Sequence, residues 1–548
     1  MYHSSSYFHL YMSALYLHTV ALALGSNLGD RFANIETALC LLEAPTALLG
    51  VDEAKLSVID TSFMYETAPM YVTDQPCFAN CACMVETNLE PIVLLDLVKK
   101  IEDAVGRVPT IRNGPRAVDV DILFYDGSNI DTRPKNSRRD LENLAGELVV
   151  PHPRMAEREF VLRPLNDMIP DFVHPIYRKT VRALLSGVVS RRTRDEPPML
   201  KVIPFPKYPC ASTSTPYGST SVPSTAKYWT VASTCAEGKF GPSKTRIMAI
   251  LNVTTDSLPD GSLHNEVPAA LEYATTSVES GADIIDVGGY SADPRAKFVS
   301  EDEEINRVVP VIKAIRDQGN DSVREALISV DTFRWGVAEA AVQAGANCIN
   351  DIYAFTGPGY PLDQASTDHL LKMRDITRRL CVPVVLMHSR GAGDSNNDYS
   401  AYNGNLVSAI RTELGDKVDK IVRGRGGVRR WFVIVDPGFE FSKPVDAQYT
   451  LLRNMASITA DDHENHLAGC PLLVGTSKKS FLGVVLERPG SEGTYKGRKT
   501  SPQERGWATA ATVACAVQQG ASVVRVHDVL EMHDVVAIAS AIWSGSDS

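Results

Sequence analysis

Eight short apolar runs, rich in β-branched residues, recur from about Thr245 to the end of the chain and alternate with stretches of helical periodicity. Continuous apolar strands that alternate with helices are typical of a parallel sheet covered on both faces. Eight such units in about 300 residues predict a closed (β/α)8 TIM barrel, with an open doubly wound sheet as the alternative. The runs are IMAILNV, ADIIDVGG, ALISVDTF, ANCINDIY, PVVLMHS, WFVIVDPGF, PLLVGTS and ASVVRVHD.

Polar side chains follow nearly every one of these runs. A single polar strand end commonly caps the next helix. A whole set of them at the carboxyl ends of barrel strands instead indicates an active site, because those ends meet on one rim. The residues are Asn252, Asp286, Asp331, Asn350, Asp351, His388, Asp436, Ser477, Lys479, Arg525 and His527.

The front of the chain has a different pattern. TVALALGSNLGDR predicts a strand followed by a helix that begins near Asp30. Further strands are predicted around Ser62–Tyr65, Phe78–Thr87 and Val118–Tyr125, with a helix over Pro91–Gly106. A few strands with intervening helices favour a small ferredoxin-like α+β sandwich.

Composition sets the boundaries of these parts. Residues Ala211–Ala236 are dominated by Ser, Thr, Pro and small side chains, which cannot bury enough apolar surface to offset the entropy of ordering. The sequence therefore predicts an α/β protein of three parts. They are the sandwich domain over residues 19–185, a flexible Ser/Thr/Pro-rich linker over 186–243, and the barrel over 244–548.

The charge balance restricts the class of partner. The chain has 55 Lys plus Arg against 66 Asp plus Glu, a formal net charge of -11, so its overall field favours neither nucleic acid nor an anionic membrane. VRGRGGVRR (Val422–Arg430) is interpreted as a surface loop rather than an RNA-binding stretch. No run reaches the roughly 20 apolar residues of a membrane helix.

The setting predicted for the chain is cytoplasmic. Its first 20 residues contain no Lys or Arg, which argues against a transit peptide and a signal peptide. The ten Cys are scattered, as in proteins whose thiols stay reduced. The choice between cytosol and mitochondrion is left open.

The stretch RNGPRAVDVDILFYD carries the sharpest local chemistry. Asp119 and Asp121 are two apart in a predicted strand, so both carboxylates point to the same face. With Arg112 and Arg116 close by, the pair is typical of a Mg²⁺ site for a polyphosphate, whereas an edge strand with surface salt bridges is the plainer interpretation. The apolar neighbours on the other face favour the metal site.

Six motifs in this part resemble hydroxymethyldihydropterin pyrophosphokinase, over about Thr19 to Pro175: GSNLGDR, YETAPM, PCFAN, a GR before a loop, RNGPRAVDVDIL and VPHPRMAEREFVLRPL. The resemblance implies transfer of pyrophosphate from ATP to a hydroxymethyl oxygen. It implies that Asp119 and Asp121 hold Mg²⁺ and act in catalysis with Arg107 and Arg116. It further implies ATP contacts from Arg107, Arg112, Arg116, His152 and Arg158, and pterin contacts from Thr67, Asn80 and Phe160. Asn113 departs from an aromatic that is common in the family.

The barrel resembles dihydropteroate synthase, which uses the product of the first enzyme. The motifs are MAILNVTTDS, GADIIDVGG, SVDTF, INDIY, VVLMHSRG, VDPGFEFSK, LLVGTSKKSF and RVHDV. The resemblance implies that the pterin is held by Asp331, Asn350, Asp436, Lys479 and Arg525, with Lys479, Arg525 and His527 in catalysis. Asn252 would bind the Mg²⁺ of the pyrophosphate leaving group, and Phe441 and Ser477 would line the p-aminobenzoate site.

Several barrel positions depart from the family's pattern: Thr255, Leu258 and Pro259 in the first loop, Ala292 and Asp293 in the second, and Lys478 in place of an arginine. They leave two functions open. One is a bifunctional enzyme that makes dihydropteroate. The other is an active pyrophosphokinase joined to a barrel that binds pterin with weakened or lost synthase activity.

The partners predicted from sequence are ATP, hydroxymethyldihydropterin and p-aminobenzoate, with no nucleic acid and no membrane. A homodimer formed through the barrel is expected from the resemblance. The aldolase-like domain that is usual in fungal versions of this fusion does not precede Thr19, and whether such a piece is missing is left open.

Overall fold

The computed structural model describes residues 17–107, 111, 113–135, 138, 147–193, 196–209, 222–232, 244–254, 266–291, 296–391, 396–462, 464–490 and 495–543. Two compact units are present. The first consists of Met1–Pro204, Ala211–Thr230 and Val422–Trp431. The second consists of Phe205–Cys210, Val231–Ile421 and Phe432–Ser548.

A seven-stranded sheet forms the centre of the first unit, in the order β5-β1-β4-β3-β8-β9 with β2 beside β4. Its strands are β1 (His18–Ser26), β2 (Leu56–Thr61), β3 (Met64–Thr67), β4 (Phe78–Thr87), β5 (Asp119–Tyr125), β8 (Leu200–Pro206) and β9 (Thr225–Ala232); β6 (Ile130–Asp131) and β7 (Val149–Val150) form a separate pair. The helices are α1 (Arg31–Leu42), α2 (Pro45–Leu49), α3 (Pro91–Val105), α4 (Glu159–Met168) and α5 (Val181–Val189).

Local signals explain where these helices begin and end. The Asp30 side chain accepts a hydrogen bond from the Ala33 N–H and so caps α1. Pro91 opens α3, and Gly106 ends it with a φ of 111° that suits glycine. Apolar side chains of α4 and α5 then pack on the sheet in one buried cluster, which includes Leu123, Phe124, Leu162, Leu165 and Leu185.

The predicted strands and helix of this part are confirmed, as is the sandwich of helices on a largely antiparallel sheet. The linker predicted over residues 186–243 needs a correction. Two strands, β8 and β9, lie within it, and Leu200–Val202 pairs with β3. The apolar run LKVIPF was overlooked because the Ser- and Thr-rich residues beside it dominated the composition. Residues 210–221, the centre of that stretch, lie outside the described part.

The arginine-rich stretch Val422–Trp431 is part of the first unit, and its interpretation as a surface loop was wrong for its second half. The side chain of Arg429 is 2% exposed and pairs with Glu36 of α1 at 3.1 Å. Arg430 pairs with Asp60 of β2 at 2.8 Å. Both arginines are buried because they pair with buried acids. Their charge alone had suggested that they would be exposed to solvent.

An eight-stranded parallel sheet forms the centre of the second unit. Its strands are β10 (Arg246–Asn252), β11 (Ile284–Gly288), β12 (Leu327–Asp331), β13 (Cys348–Asp351), β14 (Val384–Met387), β15 (Val433–Asp436), β16 (Leu473–Val474) and β17 (Val523–Val526). The helices are α6 (Val267–Glu279), α7 (Glu301–Arg316), α8 (Asp321–Arg324), α9 (Trp335–Ala344), α10 (Gln364–Leu380), α11 (Leu406–Val422), α12 (Val445–Arg453), α13 (Ser480–Leu486), α14 (Gly506–Gln518) and α15 (Val529–Trp543).

Strand order shows that this sheet closes on itself. The order is β15-β14-β13-β12-β11-β10-β17-β16. The first barrel strand in the chain, β10, therefore pairs with the last, β17. A parallel bridge between Val435 and Leu472 joins the two remaining edges. The prediction of a TIM barrel is confirmed, and the open doubly wound sheet is excluded, because such a sheet keeps two free edges.

Within the part of the chain that the structure describes, no helix combines the length and the apolar character needed to cross a bilayer.

Candidate active sites

The paired carboxylates of β5 lie on one face of the strand, as the period of two predicts. Asp119 and Asp121 are half-buried, whereas Val118, Val120 and Ile122 are fully buried on the other face. Burial raises the pKa of Asp119, and the neighbouring Asp121 raises it further. Two acids kept this close favour a cation between them.

Arg116 is fixed beside this pair. Its guanidinium lies 2.9 Å from Asp119. Asn27, at the end of β1, accepts a hydrogen bond from the Arg116 N–H at 2.9 Å and donates its own N–H to the Arg116 carbonyl at 3.1 Å. The turn after β1 therefore positions an arginine at the edge of the carboxylate face.

Glu102, which sequence reasoning missed, organises the other side. This fully buried residue of α3 accepts a hydrogen bond from the N–H of Val120, between the two acids. It also forms ion pairs with Arg107 and with Lys99, the latter at 2.8 Å. A glutamate on the buried face of an apolar helix is the signal that could have revealed it.

Thr67 and Asn80 are brought together at neighbouring strands, where the Asn80 amide donates to the Thr67 hydroxyl at 2.7 Å. Gly25 lies against them, since a Cβ added there would approach the Asn80 Oδ1 to 2.7 Å. Any larger residue at this position would displace Asn80.

Arg158 and Phe160 lie together at the start of α4. The Arg158 guanidinium is 5.6 Å from the ring centres of both Phe160 and Tyr71, and donates to the Tyr71 hydroxyl at 3.2 Å. A planar cation and two aromatic rings are groups on which a flat aromatic ligand can stack.

Other predicted residues of this site are less fully placed. Burial lowers the pKa of His152, and the nearby Asp121 opposes that effect, so the imidazole is neutral near pH 7. Asn113 has a φ of 57°, and its carbonyl accepts from Gln75 at 2.9 Å. Arg112 lies outside the described residues.

The chemistry of the donor set fits Mg²⁺. Over the described stretches, no cluster of three or more His, Cys, Asp or Glu side chains could hold a metal ion by itself. Magnesium, however, is usually bound through one or two carboxylates and completed by phosphate oxygens and water. Asp119 and Asp121 provide such a pair, and their mutual repulsion is what a bound cation would relieve.

Pairing in the barrel brings Asn252, the predicted metal ligand, to the same level as two predicted pterin ligands, Asp331 and Asn350. Asn252, Gly288, Asp331 and Asn350 are successive partners across β10 to β13. A Cβ on Gly288 would lie 3.5 Å from both the Asn252 Oδ1 and the Asp331 Cβ. These are ordinary van der Waals distances, so Gly288 lies at close range between the two residues without excluding a small side chain.

Arg525 connects this level to Asp286, which lies two residues before Gly288 on β11. Its Nε donates to Asp286 at 2.7 Å and its terminal nitrogen to Asp331 at 2.6 Å, while Asn350 also donates to Asp286, at 2.9 Å. Burial disfavours the charge on Arg525, but the two acids more than offset it and raise its pKa. Burial raises the pKa of Asp331 to about 7.

Asp436, at the end of β15, is held by its own loop. Its Oδ1 accepts from the N–H of Gly438 at 2.7 Å. Burial raises the pKa of Asp436 to about 6, with this bond and Lys443 acting in the opposite direction. Of the acids near the rim, Asp436 and Asp331 are therefore both weakly acidic.

Ser477 and His527 form a pair, 2.8 Å apart between Oγ and Nδ1. Burial lowers the pKa of His527 well below its ordinary value, and the charge of Lys478 lowers it further. Lys478, the departure from the family's arginine, donates to Asp528 at 2.7 Å.

Phe441 and Lys479 are brought together, with the ammonium 4.5 Å from the ring centre. The structure thus places Ser477 against His527 and Phe441 against Lys479, two separate pairs where the sequence grouped Ser477 with Phe441. The altered loop residues Thr255, Leu258, Pro259, Ala292 and Asp293 lie outside the described part.

Asp286, Glu440 and Lys443 were given no role by sequence reasoning. Asp286 was visible as a polar strand end and is fully buried. Its Oδ1 lacks a hydrogen-bond partner in the described residues, although its Oδ2 accepts two. No local signal marks Glu440 or Lys443, because their partners are set by loop geometry.

Two family models match the chain. The 7,8-dihydro-6-hydroxymethylpterin-pyrophosphokinase model covers residues 21–170, and the pterin binding enzyme model covers 248–527. The first match contains the β5 carboxylates, and the second ends at His527.

Relatives span both halves. The folate synthesis bifunctional protein, mitochondrial, of Pisum sativum is 33% identical over 96% of this chain and 90% of its own length. The folic acid synthesis proteins of Pneumocystis carinii and Schizosaccharomyces pombe are each 34% identical. The chain spans 60% and 59% of the length of these two fungal proteins.

Solved structures share the fold. A crystal structure of HPPK-DHPS in complex with substrates matches with a TM-score of 0.68 at 20% identity, over 96% of this chain and 99% of that one. Wild-type HPPK-DHPS of Plasmodium falciparum with pteroate also gives 0.68, at 21% identity, with 96% and 98% covered. With both family models matched in order and full-length relatives above 30% identity, the chain belongs to the family of bifunctional folate synthesis proteins.

Proposed function

We propose that this protein catalyses two consecutive steps of folate synthesis. The first unit transfers pyrophosphate from ATP to 6-hydroxymethyl-7,8-dihydropterin, and the second joins the product to p-aminobenzoate to give 7,8-dihydropteroate. Membership of the family supports both steps.

In the first step the hydroxymethyl oxygen attacks the β-phosphorus of ATP, the bond between the α,β-bridging oxygen and that phosphorus breaks, and AMP leaves. Little covalent chemistry falls to the protein, so positioning and neutralisation of charge carry the reaction. Arg116 and Arg107 supply cations near the carboxylates, and the charge of each acts on Asp119. The surface of Phe160 supports the flat pterin ring, with Asn80 and Thr67 as polar contacts.

Mg²⁺ would be held by Asp119 and Asp121 and would neutralise phosphate charge. In the second unit Asn252 would contribute to the metal that accompanies the pyrophosphate. An amide oxygen is a suitable ligand there, since hard oxygen donors suit this ion.

In the second step the amine of p-aminobenzoate attacks the methylene carbon, the carbon–oxygen bond breaks, and pyrophosphate leaves with its electron pair. Asp331, Asp436 and Asn350 would bind the pterin edge, because carboxylates accept from its N–H groups and amides both donate and accept. His527 and Arg525 would face the leaving group, and Phe441 would line the p-aminobenzoate site. Ser477 would act there through its contact with His527.

One observation carries the proposal for the barrel. A single arginine, Arg525, joins Asp286 and Asp331, and Asp286 also holds Asn350, all at or just below the carboxyl ends of barrel strands. Such a buried group of complementary donors and acceptors is expensive to maintain unless a polar ligand uses it.

The test is an assay on the purified chain with hydroxymethyldihydropterin, ATP, Mg²⁺ and labelled p-aminobenzoate, in which AMP and dihydropteroate are followed separately. Both products are expected. Absence of AMP would overturn the first assignment, and absence of dihydropteroate at every p-aminobenzoate concentration would overturn the second.

The alternative for the second unit is a pterin-binding barrel with weakened or lost synthase activity. The engagement of Lys478 with Asp528 favours it, because a lysine committed to that ion pair is less free to meet an anionic substrate. Asp293 adds an acid where the family has an arginine. The variant Asp293→Arg should restore turnover if this alternative holds.

The proposal includes a homodimer formed through the barrel, with no nucleic acid or membrane partner, in the cytoplasm. Exposed apolar side chains support the dimer: Leu530, Ile538, Ile542 and Trp543 on α15, and Trp507 on α14. The net charge of -11 supports the exclusion of nucleic acid. The pea relative is named as mitochondrial, so that compartment stays the alternative.

A further inference from the structure

The loop that follows β15 is fixed at both ends. Lys443, which is buried, donates to the carbonyls of Gly438 at 2.7 Å and Phe441 at 3.0 Å. The Glu440 N–H donates to the Gln448 side chain at 2.7 Å, and Tyr399 donates to the Ser442 carbonyl at 2.9 Å. Lys443 is the anchor because its ammonium meets two turns of the loop at once.

The backbone of this loop is strained. Glu440 has a φ of 77° and Ser442 a φ of 51°, values at which side chains other than glycine are disfavoured. Such conformations persist where surrounding contacts hold them, and they cluster at functional sites. Glu440 is therefore held in a conformation that it would not adopt alone.

What the strained backbone presents is a carboxylate beside Lys479. The Glu440 Oε2 lies 3.4 Å from the Lys479 Nζ, and its Oε1 accepts from the N–H of Ser480 at 2.6 Å. The next residue, Phe441, offers its ring to the same ammonium at 4.5 Å. Burial disfavours the charged carboxylate, but the charge of Lys479 and the hydrogen bonds from Ser480 and Lys479 together outweigh this and lower the pKa of Glu440.

We propose that Glu440 is a positioning residue of the second unit, which holds the Lys479 ammonium over the face of Phe441 at the boundary between the pterin and p-aminobenzoate sites. The inference rests on the proposed synthase function. Glu440 acts through Lys479 and does not itself contact a substrate.

Two contacts define where the ammonium lies. A lysine has a long, flexible stem that ends in a compact charge, so without a partner it samples many positions. The carboxylate on one side and the ring on the other restrict it to the space between the loops after β15 and β16. A cation aligned in advance loses less entropy when the reacting groups arrive.

The variant Glu440→Gln separates charge from shape. Glutamine keeps an oxygen that accepts from the Ser480 N–H. Like glutamate, it has a Cβ, so the positive φ at position 440 is disfavoured to the same extent. Only the attraction for the ammonium is lost. We expect kcat/KM for dihydropteroate formation to fall by about tenfold, a coupling within the usual range for contacting residues.

A double-mutant cycle with Lys479→Met tests whether the effect runs through the lysine. Both backgrounds are assayed in the full-length chain with pterin pyrophosphate supplied directly, so that the first unit does not contribute. In the Lys479→Met background, Glu440→Gln should change kcat/KM by less than about twofold. The exposed Glu279 of α6 serves as a matched control, since Glu279→Gln removes an acid elsewhere in the unit.

The outcomes separate this inference from the function on which it rests. A wild-type chain that forms no dihydropteroate overturns the proposed synthase function and the inference with it. A wild-type chain that is active, with Glu440→Gln unchanged or equally impaired in both backgrounds, overturns the inference alone and leaves Glu440 a structural acid. A fall in kcat/KM in the chain that retains Lys479, without a fall in the Lys479→Met background, supports the inference.

Discussion

At the scale of single residues, the buried carboxylate of Asp286 acts as a positioning group for the candidate site of the second unit. It holds Arg525 and Asn350 through one oxygen, both of them predicted pterin ligands. The variant Asp286→Asn keeps the shape but weakens the grip on the guanidinium. We expect synthase kcat/KM to fall roughly 100-fold, the cost of a small misplacement of catalytic groups.

Steady-state kinetics of both reactions provide the check, because AMP formation by the first unit should be unchanged. Asp283 lies at the opposite end of β11, where it pairs with Arg246 and accepts from the Ile247 N–H. Asp283→Asn is therefore a matched control that affects stability and spares turnover. Equal synthase rates in Asp286→Asn and the wild type would contradict the role of Asp286.

A second residue gives a pH dependence of known sign. Asp167 in α4 accepts from the Phe63 N–H and the Tyr65 hydroxyl, and burial raises its pKa to about 6 against the pull of Lys201. Between about pH 4 and 6 the folded state keeps a proton that the unfolded state has lost. The contribution of Asp167 to the free energy of unfolding therefore falls as pH rises through this window.

The variant Asp167→Asn isolates that contribution. Urea unfolding of the first unit, measured from pH 4 to pH 7, should give a wild-type stability that declines relative to the variant up to about pH 6 and then levels. Parallel curves for the two proteins across the whole range would show that the carboxyl does not titrate in this window.

At the scale of elements, the stretch Val422–Trp431 is a structural part of the first unit. Removal of one member of a buried ion pair leaves the other uncompensated, at a cost of about 3–5 kcal/mol. Arg429→Met should destabilise the first unit by about this amount, because Glu36 remains buried. The measurement is denaturant unfolding of the full chain, followed by a probe in the first unit.

Arg425 in the same stretch is the matched control. Its side chain is 61% exposed and lies 3.3 Å from Glu86, a surface pair worth less than about 1 kcal/mol. The double variant Glu36→Gln with Arg429→Met should recover part of the loss. An Arg429→Met protein as stable as Arg425→Met would refute the assignment of this stretch to the core of the unit.

Sequence reasoning was most successful in predicting the strands and helices. The period-two alternation around Asp119 and the eight apolar runs of the barrel depend on local pattern, and local pattern determines which face is buried. Glu102 and Glu440 depend on other information. Glu102 accepts from Val120, which lies in a strand beyond an intervening loop. Glu440 requires a positive φ, which residues other than glycine seldom have.

The features that sequence reasoning missed depend on contacts between residues far apart in the chain. Arg429 looked solvated because its stretch is rich in arginine and glycine, and the acid that buries it lies 393 residues earlier in the chain. The strand β8 was hidden by the composition of its neighbours. The roles of the named site residues remain predictions, although the structure brings Arg525 to Asp331 and Phe441 to Lys479.

At the scale of the whole molecule, the proposed homodimer can be tested on α15. Leu530, Ile538 and Ile542 recur at multiples of four and so share one face, with Ile538 64% and Ile542 63% exposed. A charge placed in an apolar interface is strongly unfavourable. Ile542→Glu should convert a dimer to a monomer in light scattering coupled to size exclusion.

Ile176, in the first unit and 55% exposed, provides the control. Ile176→Glu should leave the mass unchanged. A wild-type chain that elutes as a monomer at micromolar concentration, or an Ile542→Glu chain that remains dimeric, would rule out this face as the contact.

The first unit consists of stretches that are far apart in the chain, and this affects how it folds during synthesis. Val422–Trp431 leaves the ribosome about 220 residues after Pro204, which at 5–20 residues per second is a delay of roughly 10–45 s. During that interval Arg429 and Arg430, which pair with Glu36 and Asp60 in the folded protein, have not yet been synthesised. The first unit therefore cannot complete its buried Glu36–Arg429 and Asp60–Arg430 ion pairs until translation of the barrel is well advanced.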